Sequence, residues 1–420
     1  MELTPARLDA TIDALRAVLA LTQPADACLR AFFRAQPGLG QRDRGVVAEL
    51  VFACLRHLRL LEQVCEGRQP RRLALAAAVL AQGCSVRQLD PVLRKDEGQW
   101  LAALRARDLR GLPPAVQLSL PDWLWERLCA QSGEAEATEL GRALLASAPL
   151  DLRVNAMRAG RDEVLQRLRA EGMAARPTPF APLGIRLADK PALQKHPLFL
   201  DGSIEVQDEA SQLLALVVGA RRREMVVDFC AGAGGKTLAL GAMMRSEGRL
   251  YAFDTSDKRL ANLAPRLKRS GLSNVHPQLI DSEHDRRIAR LERKIDRVLV
   301  DAPCTGLGTL RRNPDLKWRQ TPGSVAQLQA KQRSILAAAA RLVKPGGVLV
   351  YATCSLLREE NEEIVDQFLA QAPQFRTGDA SAALRPLGLE LDSAPYYRVL
   401  PHRHRMDGFF AALLERAAAS

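Results

Sequence analysis

The stretch "VVDFCAGAGGKTLALGAMM", residues 226–244, decides the fold. A short apolar run ends at Asp228, a loop carrying Gly232, Gly234 and Gly235 follows, and helical spacing resumes after it. An unbroken apolar run is the pattern of a parallel strand covered on both faces, and glycines let the following backbone turn tightly and come close to a ligand. The unit reads as strand, ligand loop and helix. The loop does not meet the GxGxxG dinucleotide pattern, and Lys236 and Thr237 lack the GxxxxGKS/T frame of a phosphate loop.

Working outward, the same alternation recurs. "RLYAFDTS" (249–256), "NVHPQLID" (274–281), "DRVLVDAP" (296–303) and "GGVLVYATCS" (346–355) read as strands separated by helical stretches such as "DKRLANLAPRLKRSG" (257–271). "DGFFAALLER" (407–416) would add an antiparallel strand at the edge. An α/β, doubly wound sheet is therefore expected over residues 206–420. Ahead of it, residues 1–145 read as helices: "TPARLDATIDALRAVLALT" (4–22) opens on Thr4 and Pro5, and "PDWLWERLCAQSG" (121–133) runs from a proline to a glycine. Residues 146–205 change texture. "APLDLRVNAM" (148–157) reads as a strand, "GRDEVLQRLRAEG" (160–172) as a helix and "RPTPFAPLGIRL" (176–187) as a Pro-rich connection into another strand, which predicts a small α+β module.

At 420 residues, with 47% hydrophobic and 26% charged residues, the chain is long enough for two or three packed cores. Its net charge of +12 and pI of about 9.6 favour a polyanionic partner. The excess is densest in 151–200, with nine basic and five acidic residues. No apolar run is long enough to span a bilayer, so a cytoplasmic protein with no membrane contact and no stable protein partner is expected. The eight cysteines form no CxxC pair and no Cys/His cluster at zinc spacing, and no metal site is expected.

Asp228, Asp254, Asp281 and Asp301 close four successive strands, and the carboxyl ends of such strands line the ligand crevice. Asp254, 26 residues after Asp228, is placed to accept the ribose hydroxyls of a nucleoside cofactor. Four carboxylates repel a pyrophosphate. S-adenosylmethionine, with a sulfonium, an amino group and an adenosine, fits that rim better than NAD or ATP.

Two cysteines follow neighbouring strands, Cys304 after the fourth and Cys354 after the fifth. They either converge on one pocket or are two small buried residues at strand ends. Convergence would suit cytosine chemistry: a thiolate adds to carbon 6, the activated carbon 5 takes a methyl group, and a second group removes the carbon 5 proton so that the thiolate leaves. Asp301 could hydrogen-bond the base edge.

The chain resembles the Sun/Fmu family of RNA cytosine-5 methyltransferases, through "VDAPCTGLGTLRRNPDLKW" (300–318), "YATCSLLREENEEIV" (351–365) and "DFCAGAGGKT" (228–237). The resemblance implies a Rossmann-like class I methyltransferase domain with a seven-stranded, mostly parallel sheet. It makes Cys354 the nucleophile and Cys304 the residue that assists breakdown of the adduct, with Asp301 and Lys236 completing the catalytic set. The cofactor set it implies is Cys230, Ala231, Gly232, Ala233, Gly234, Gly235, Lys236, Asp254, Arg259, Asp281 and Asp301. Gly232 and Ala233 stand where the family usually has Ala-Pro. "RVNAM" (153–157), "VQDEAS" (206–211) and "MDGFF" (406–410) match further family segments, and "LGQRDRGVVAELVFACLRHLRLL" (39–61) resembles the NusB-like RNA-binding domain of bacterial 16S rRNA members.

RNA, with 16S rRNA as the first choice, is thus the expected partner, with tRNA or a catalytically inactive RNA-binding assembly factor as the alternatives. Arg311, Arg312 and Lys317 are expected to neutralise phosphates beside a flipped cytosine. Trp318 either stacks on a base or anchors a loop in a core. Arg153, His402 and His404 are read with the same restraint, and none of the six histidines shows acid–base or metal spacing.

Overall fold

The computed structural model describes residues 2–418. The chain divides into two compact units, Met1–Ser147 with Thr309–Pro322, and Ala148–Gly308 with Gly323–Ser420.

The first unit is helical. Its first helix, Pro5–Val18, starts where Thr4 accepts the Arg7 N–H and Pro5 needs no amide partner. Leu8, Leu15, Leu50, Leu55 and Leu73 bury into one core. The helix Gln41–Arg56 ends with carbonyls that no helical amide can reach. Residues of the segment 309–322 satisfy them: Lys317 Nζ donates to the Arg56 carbonyl at 2.8 Å, and Trp318 Nε1 donates to the Leu55 carbonyl at 2.7 Å.

This corrects the expected phosphate contact from Lys317. Its side chain is almost fully buried, with the ammonium 4.9 Å from the Trp318 ring centre. A cation at a helix C-terminus is favoured by the helix dipole, but burial, and then the charge of Arg56, pull this ammonium well below its ordinary value. Trp318 is the anchor of its two readings. Arg311 and Arg312 remain partly exposed in the same segment.

The second unit holds two sheets. The small one is antiparallel, in the order β2-β3-β1-β4, from β1 (Leu150–Val154), β2 (Ala175–Pro177), β3 (Gly184–Leu187) and β4 (Ile204–Val206). The helix Arg161–Ala170 packs Val164, Leu165 and Leu168 against Leu152, Ile185 and Ile204. Sequence reading finds β1 and β3 but neither β2 nor β4, which are three residues each and too short for a period-two pattern. Arg186 forms a bidentate pair with Asp151 at 2.7 and 2.8 Å. It also reaches Glu209 at 3.3 Å, on the helix Glu209–Val218 that follows the small sheet. Arg153, likewise buried, donates to Gln207 at 2.6 Å. The "RVNAM" and "VQDEAS" segments are thus joined by hydrogen bonds inside this unit.

The large sheet runs β10-β12-β9-β8-β5-β6-β7, and β11 pairs with β12. Its strands are β5 (Met225–Asp228), β6 (Arg249–Asp254), β7 (Val275–Leu279), β8 (Ile295–Asp301), β9 (Val343–Thr353), β10 (Phe375–Thr377), β11 (Tyr397–Val399) and β12 (Phe409–Arg416). Strands β5 to β9 are parallel, and β12 returns antiparallel to β9. β12 is not an edge strand, because β10 and β11 pair along its other side. The strand order reverses between β5 and β8, which opens a crevice at their carboxyl ends. Among the described residues, no helix is long and apolar enough to cross a membrane.

Candidate active site

The loop after β5 turns through two left-handed glycines, Gly232 (φ +57°) and Gly234 (φ +82°). A side chain at Gly234 would also collide with Leu263, since its Cβ would lie 2.1 Å from Leu263 Cδ1. The loop is tied to the end of β6. The buried Asp254 accepts the Gly232 N–H through Oδ2 at 2.8 Å and the Ser256 N–H through Oδ1 at 2.7 Å. Arg266 holds the Ala233 carbonyl at 2.6 Å.

Asp228, at the end of β5, is fully buried. Its Oδ2 accepts the Thr237 hydroxyl at 2.7 Å, while its Oδ1 has no hydrogen-bond partner among the described residues. Burial pushes this carboxyl up to about 7; the Thr237 bond and Lys236 pull it down, and Asp301 and Asp254 add to the rise. The neighbouring Cys230 thiol is raised well above its ordinary value by burial and then by the charges of Asp228, Asp301 and Asp254.

Lys236, on the first turn of the helix Gly235–Met243, meets Asp301 at the end of β8, with Nζ 2.6 Å from Oδ2. Its ammonium also lies 5.0 Å from the Phe409 ring centre. Burial pulls Lys236 down, but the charge of Asp301, the hydrogen bond to it and the charge of Cys354 together leave the group above its ordinary value. A charged lysine therefore stays beside Asp301.

The parallel register of β8 and β9 sets Asp301 opposite Ala352, so the loops after both strands leave side by side. Cys304 Sγ and Cys354 Sγ lie 3.5 Å apart. The backbone around them is close-packed: Gly308 donates to the Cys354 carbonyl at 2.8 Å, and Gly408 donates to the Gly308 carbonyl at 2.8 Å. A Cβ at Gly308 would fall 2.0 Å from the Gly408 carbonyl oxygen, so this crossing of three chain segments requires glycine. The hydrogen bond to Cys354, followed by burial and the charges of Cys354 and Glu360, pushes the Cys304 thiol well above its ordinary value. Cys304 is thereby kept as a thiol that can donate to the Cys354 sulfur.

Of the residues singled out from the sequence, the fold brings together Cys304 with Cys354, Lys236 with Asp301, and Gly232 with Asp254. Ala231, Ala233 and Gly235 belong to the same loop. Two acidic-rim neighbours stand further out: Asp281 is 88% exposed and pairs with Arg287 at 3.2 Å, and Arg259 is 65% exposed at 4.0 Å from Asp254. Thr237, Gly308, Gly408 and Phe409 went unassigned by sequence reading. "MDGFF" was a visible signal for Phe409, whereas nothing local marks Gly308 as the point where three segments cross.

Comparison with known proteins finds similar chains among rRNA methyltransferases. The family described as 16S rRNA methyltransferase RsmB/F matches residues 215–415, and the ferredoxin-like domain of RsmF/B-like methyltransferases matches residues 120–194. The chain is 33% identical over 413 residues to a probable ribosomal RNA small subunit methyltransferase B from Synechocystis, covering 90% of this chain and 92% of that one. It is 32% identical over 415 residues to the ribosomal RNA small subunit methyltransferase B of Sodalis glossinidius, covering 90% of each. A solved structure of a methyltransferase homologue from Pyrococcus horikoshii superposes with a TM-score of 0.63 at 30% identity, over 74% of this chain and 100% of that one.

Proposed function

The chain belongs to the 16S rRNA methyltransferase RsmB/F family and is an S-adenosylmethionine-dependent rRNA cytosine-5 methyltransferase; we propose that it works through a covalent adduct between Cys354 and carbon 6 of the target cytosine. The observation that carries this reading is the pair of thiols 3.5 Å apart at the ends of adjacent parallel strands.

Carbon 5 of cytosine is a poor nucleophile until a sulfur adds to carbon 6. In the proposed cycle the Cys354 sulfur forms that bond, and the ring's 5,6 double-bond electrons become available at carbon 5. Asp301, steadied by Lys236, accepts hydrogen bonds from the exocyclic amine and from N3–H, N3 taking a proton from solvent as the adduct forms and returning it when the adduct breaks. Cys304, as a thiolate once its own proton has left to solvent, then takes the carbon 5 proton. The electrons of that C–H bond restore the double bond, and the Cys354–carbon 6 bond breaks with its pair returning to sulfur. The thiol pair times these steps. Once Cys354 is bonded to carbon, Cys304 loses both the hydrogen bond and the charge that had raised it. Its proton then leaves more readily, so the thiolate that acts as the base forms when it is needed.

The cofactor, when bound, supplies a methyl group on a sulfonium, an electrophile for the activated carbon 5. The donor set suits a cationic nucleoside. Asp254 spends one acceptor site per oxygen on backbone amides and keeps others for ribose hydroxyls. The unpartnered, buried Oδ1 of Asp228 suits an ammonium. Residues 230–236, Asp254, Arg259 and Asp281 are assigned to hold the cofactor. The helical unit and the small antiparallel sheet are assigned to RNA, with Arg311 and Arg312 as phosphate ligands.

The functional test is to incubate the protein with 16S rRNA and methyl-labelled S-adenosylmethionine and map the product. New 5-methylcytosine at a defined position is expected, and label on another base or no label would overturn the reading.

Cofactor binding is expected to depend on pH through Asp228. Its carboxyl, pushed up to about 7, loses its proton between pH 6 and 8, and the charged form holds a cation better. Affinity for S-adenosylhomocysteine should therefore rise over that range by up to about 10-fold. Calorimetric titration of Asp228→Asn should lose this part of the pH dependence; an unchanged profile would exclude Asp228 from the site.

A further inference from the structure

We propose that Glu360 is a positioning residue that holds the two thiols at their working separation, an inference that rests on the covalent cycle above. Glu360 has no exposed surface and so cannot touch a substrate. Its carboxylate collects donors from both cysteine loops. Oε1 accepts the Thr305 N–H at 2.9 Å and the Gln332 amide at 2.9 Å. Oε2 accepts the Thr305 hydroxyl at 2.5 Å and the Ser355 hydroxyl. Thr305 follows Cys304, and Ser355 follows Cys354.

The residues preceding the cysteines are held by the same group. Gln332 also donates to the Pro303 carbonyl at 3.0 Å. The adjacent Asn361 accepts the Thr353 hydroxyl at 2.5 Å and donates to the Ser355 carbonyl at 3.2 Å. Every immediate chain neighbour of Cys304 and Cys354 is thus tied to Gln332, Glu360 or Asn361. Glu360 ties the two loops together by bonding both Thr305 and Ser355, whose hydroxyls also lie 3.2 Å from each other. The turn carrying it is fixed in turn by the Tyr351 hydroxyl, which donates to the Glu360 carbonyl at 2.6 Å.

Four donors on one buried carboxylate leave little freedom for substitution. A carboxamide at this position puts two N–H donors where an acceptor oxygen stood, so at least one loop loses its partner inside a dry site. The loops then separate, and catalysis that depends on one sulfur serving the other loses its alignment. Displacements of about 1 Å cost on the order of 100-fold in such steps.

The test compares wild type, Glu360→Gln, Thr305→Val and Thr305→Ser on rRNA, with active sites counted by cofactor titration. Glu360→Gln and Thr305→Val should lower kcat per active site by about 10- to 100-fold. KM for RNA and for the cofactor should stay within about twofold. The fraction of protein trapped on RNA in denaturing gels should rise, because release depends on the thiol spacing. Thr305→Ser keeps the hydroxyl and should match wild type. A kcat per active site equal to wild type in both Glu360→Gln and Thr305→Val, with only the melting temperature lowered, would overturn the assignment and make Glu360 a purely structural residue. Wild type that makes no 5-methylcytosine would instead overturn the covalent cycle, and this inference with it. Thr305→Val removes one of the four bonds to Glu360 together with the Thr305–Ser355 hydroxyl contact and leaves the carboxylate in place, so it reports on the clamp even where Glu360→Gln fails to fold.

Discussion

Substituting Cys354 by alanine is expected to lower methyl transfer by roughly 10⁴-fold or more, the scale seen when a covalent nucleophile is removed. No other group can replace it. Cys304, the nearest sulfur at 3.5 Å, is held protonated by its hydrogen bond to Cys354 and by burial, and its loop is pinned by Glu360. The half-buried Cys230 thiol is likewise raised well above its ordinary value, by desolvation and the charge of Asp228, so it offers no thiolate. The variant should retain cofactor binding, because the glycine loop and Asp254 are untouched by the change. Incorporation of label into rRNA measures the loss, and a denaturing gel should contain no protein–RNA species. Retention of more than a few per cent of wild-type incorporation would remove Cys354 from the nucleophile's role.

Substituting Cys304 by alanine should give the opposite signature. Attack and methyl transfer persist, but the carbon 5 proton has no base, and release of Cys354 should slow by about 10²- to 10⁴-fold. The expected observation is a labelled protein–RNA band that survives denaturation and grows with time while free product does not. The two variants test each other. A trapped species with Cys354→Ala and none with Cys304→Ala would exchange the two roles, and no trapped species with either would argue against an adduct.

Much of this site is legible in one dimension because parallel strands impose it. An apolar run followed by an acid or a cysteine, repeated along the chain, puts those side chains at one end of the sheet whatever the rest of the protein does. Asp228, Asp254, Asp301, Cys304 and Cys354 carry that pattern, and the glycine loop is marked by the conformations it needs. The misreadings have one cause. Lys317 looks like a phosphate ligand because it follows two arginines, yet its ammonium is spent on the Arg56 carbonyl, 261 residues away in sequence. β12 looks like an edge because β10 and β11, three residues each, have no pattern of their own. Glu360 carries no local signal of its role, because its partners Thr305 and Gln332 lie 55 and 28 residues away.

The amino-acid sequence alone determined the class of fold, the acidic rim and the presence of two thiols at neighbouring strand ends, because strand periodicity and backbone conformation are local properties. The tertiary structure alone decided that the thiols approach to 3.5 Å, that one buried carboxylate links their loops, and that Lys317 faces a core. Those outcomes depend on which distant donor or carbonyl meets a side chain once the chain has packed, and a buried polar group takes the partner that packing supplies.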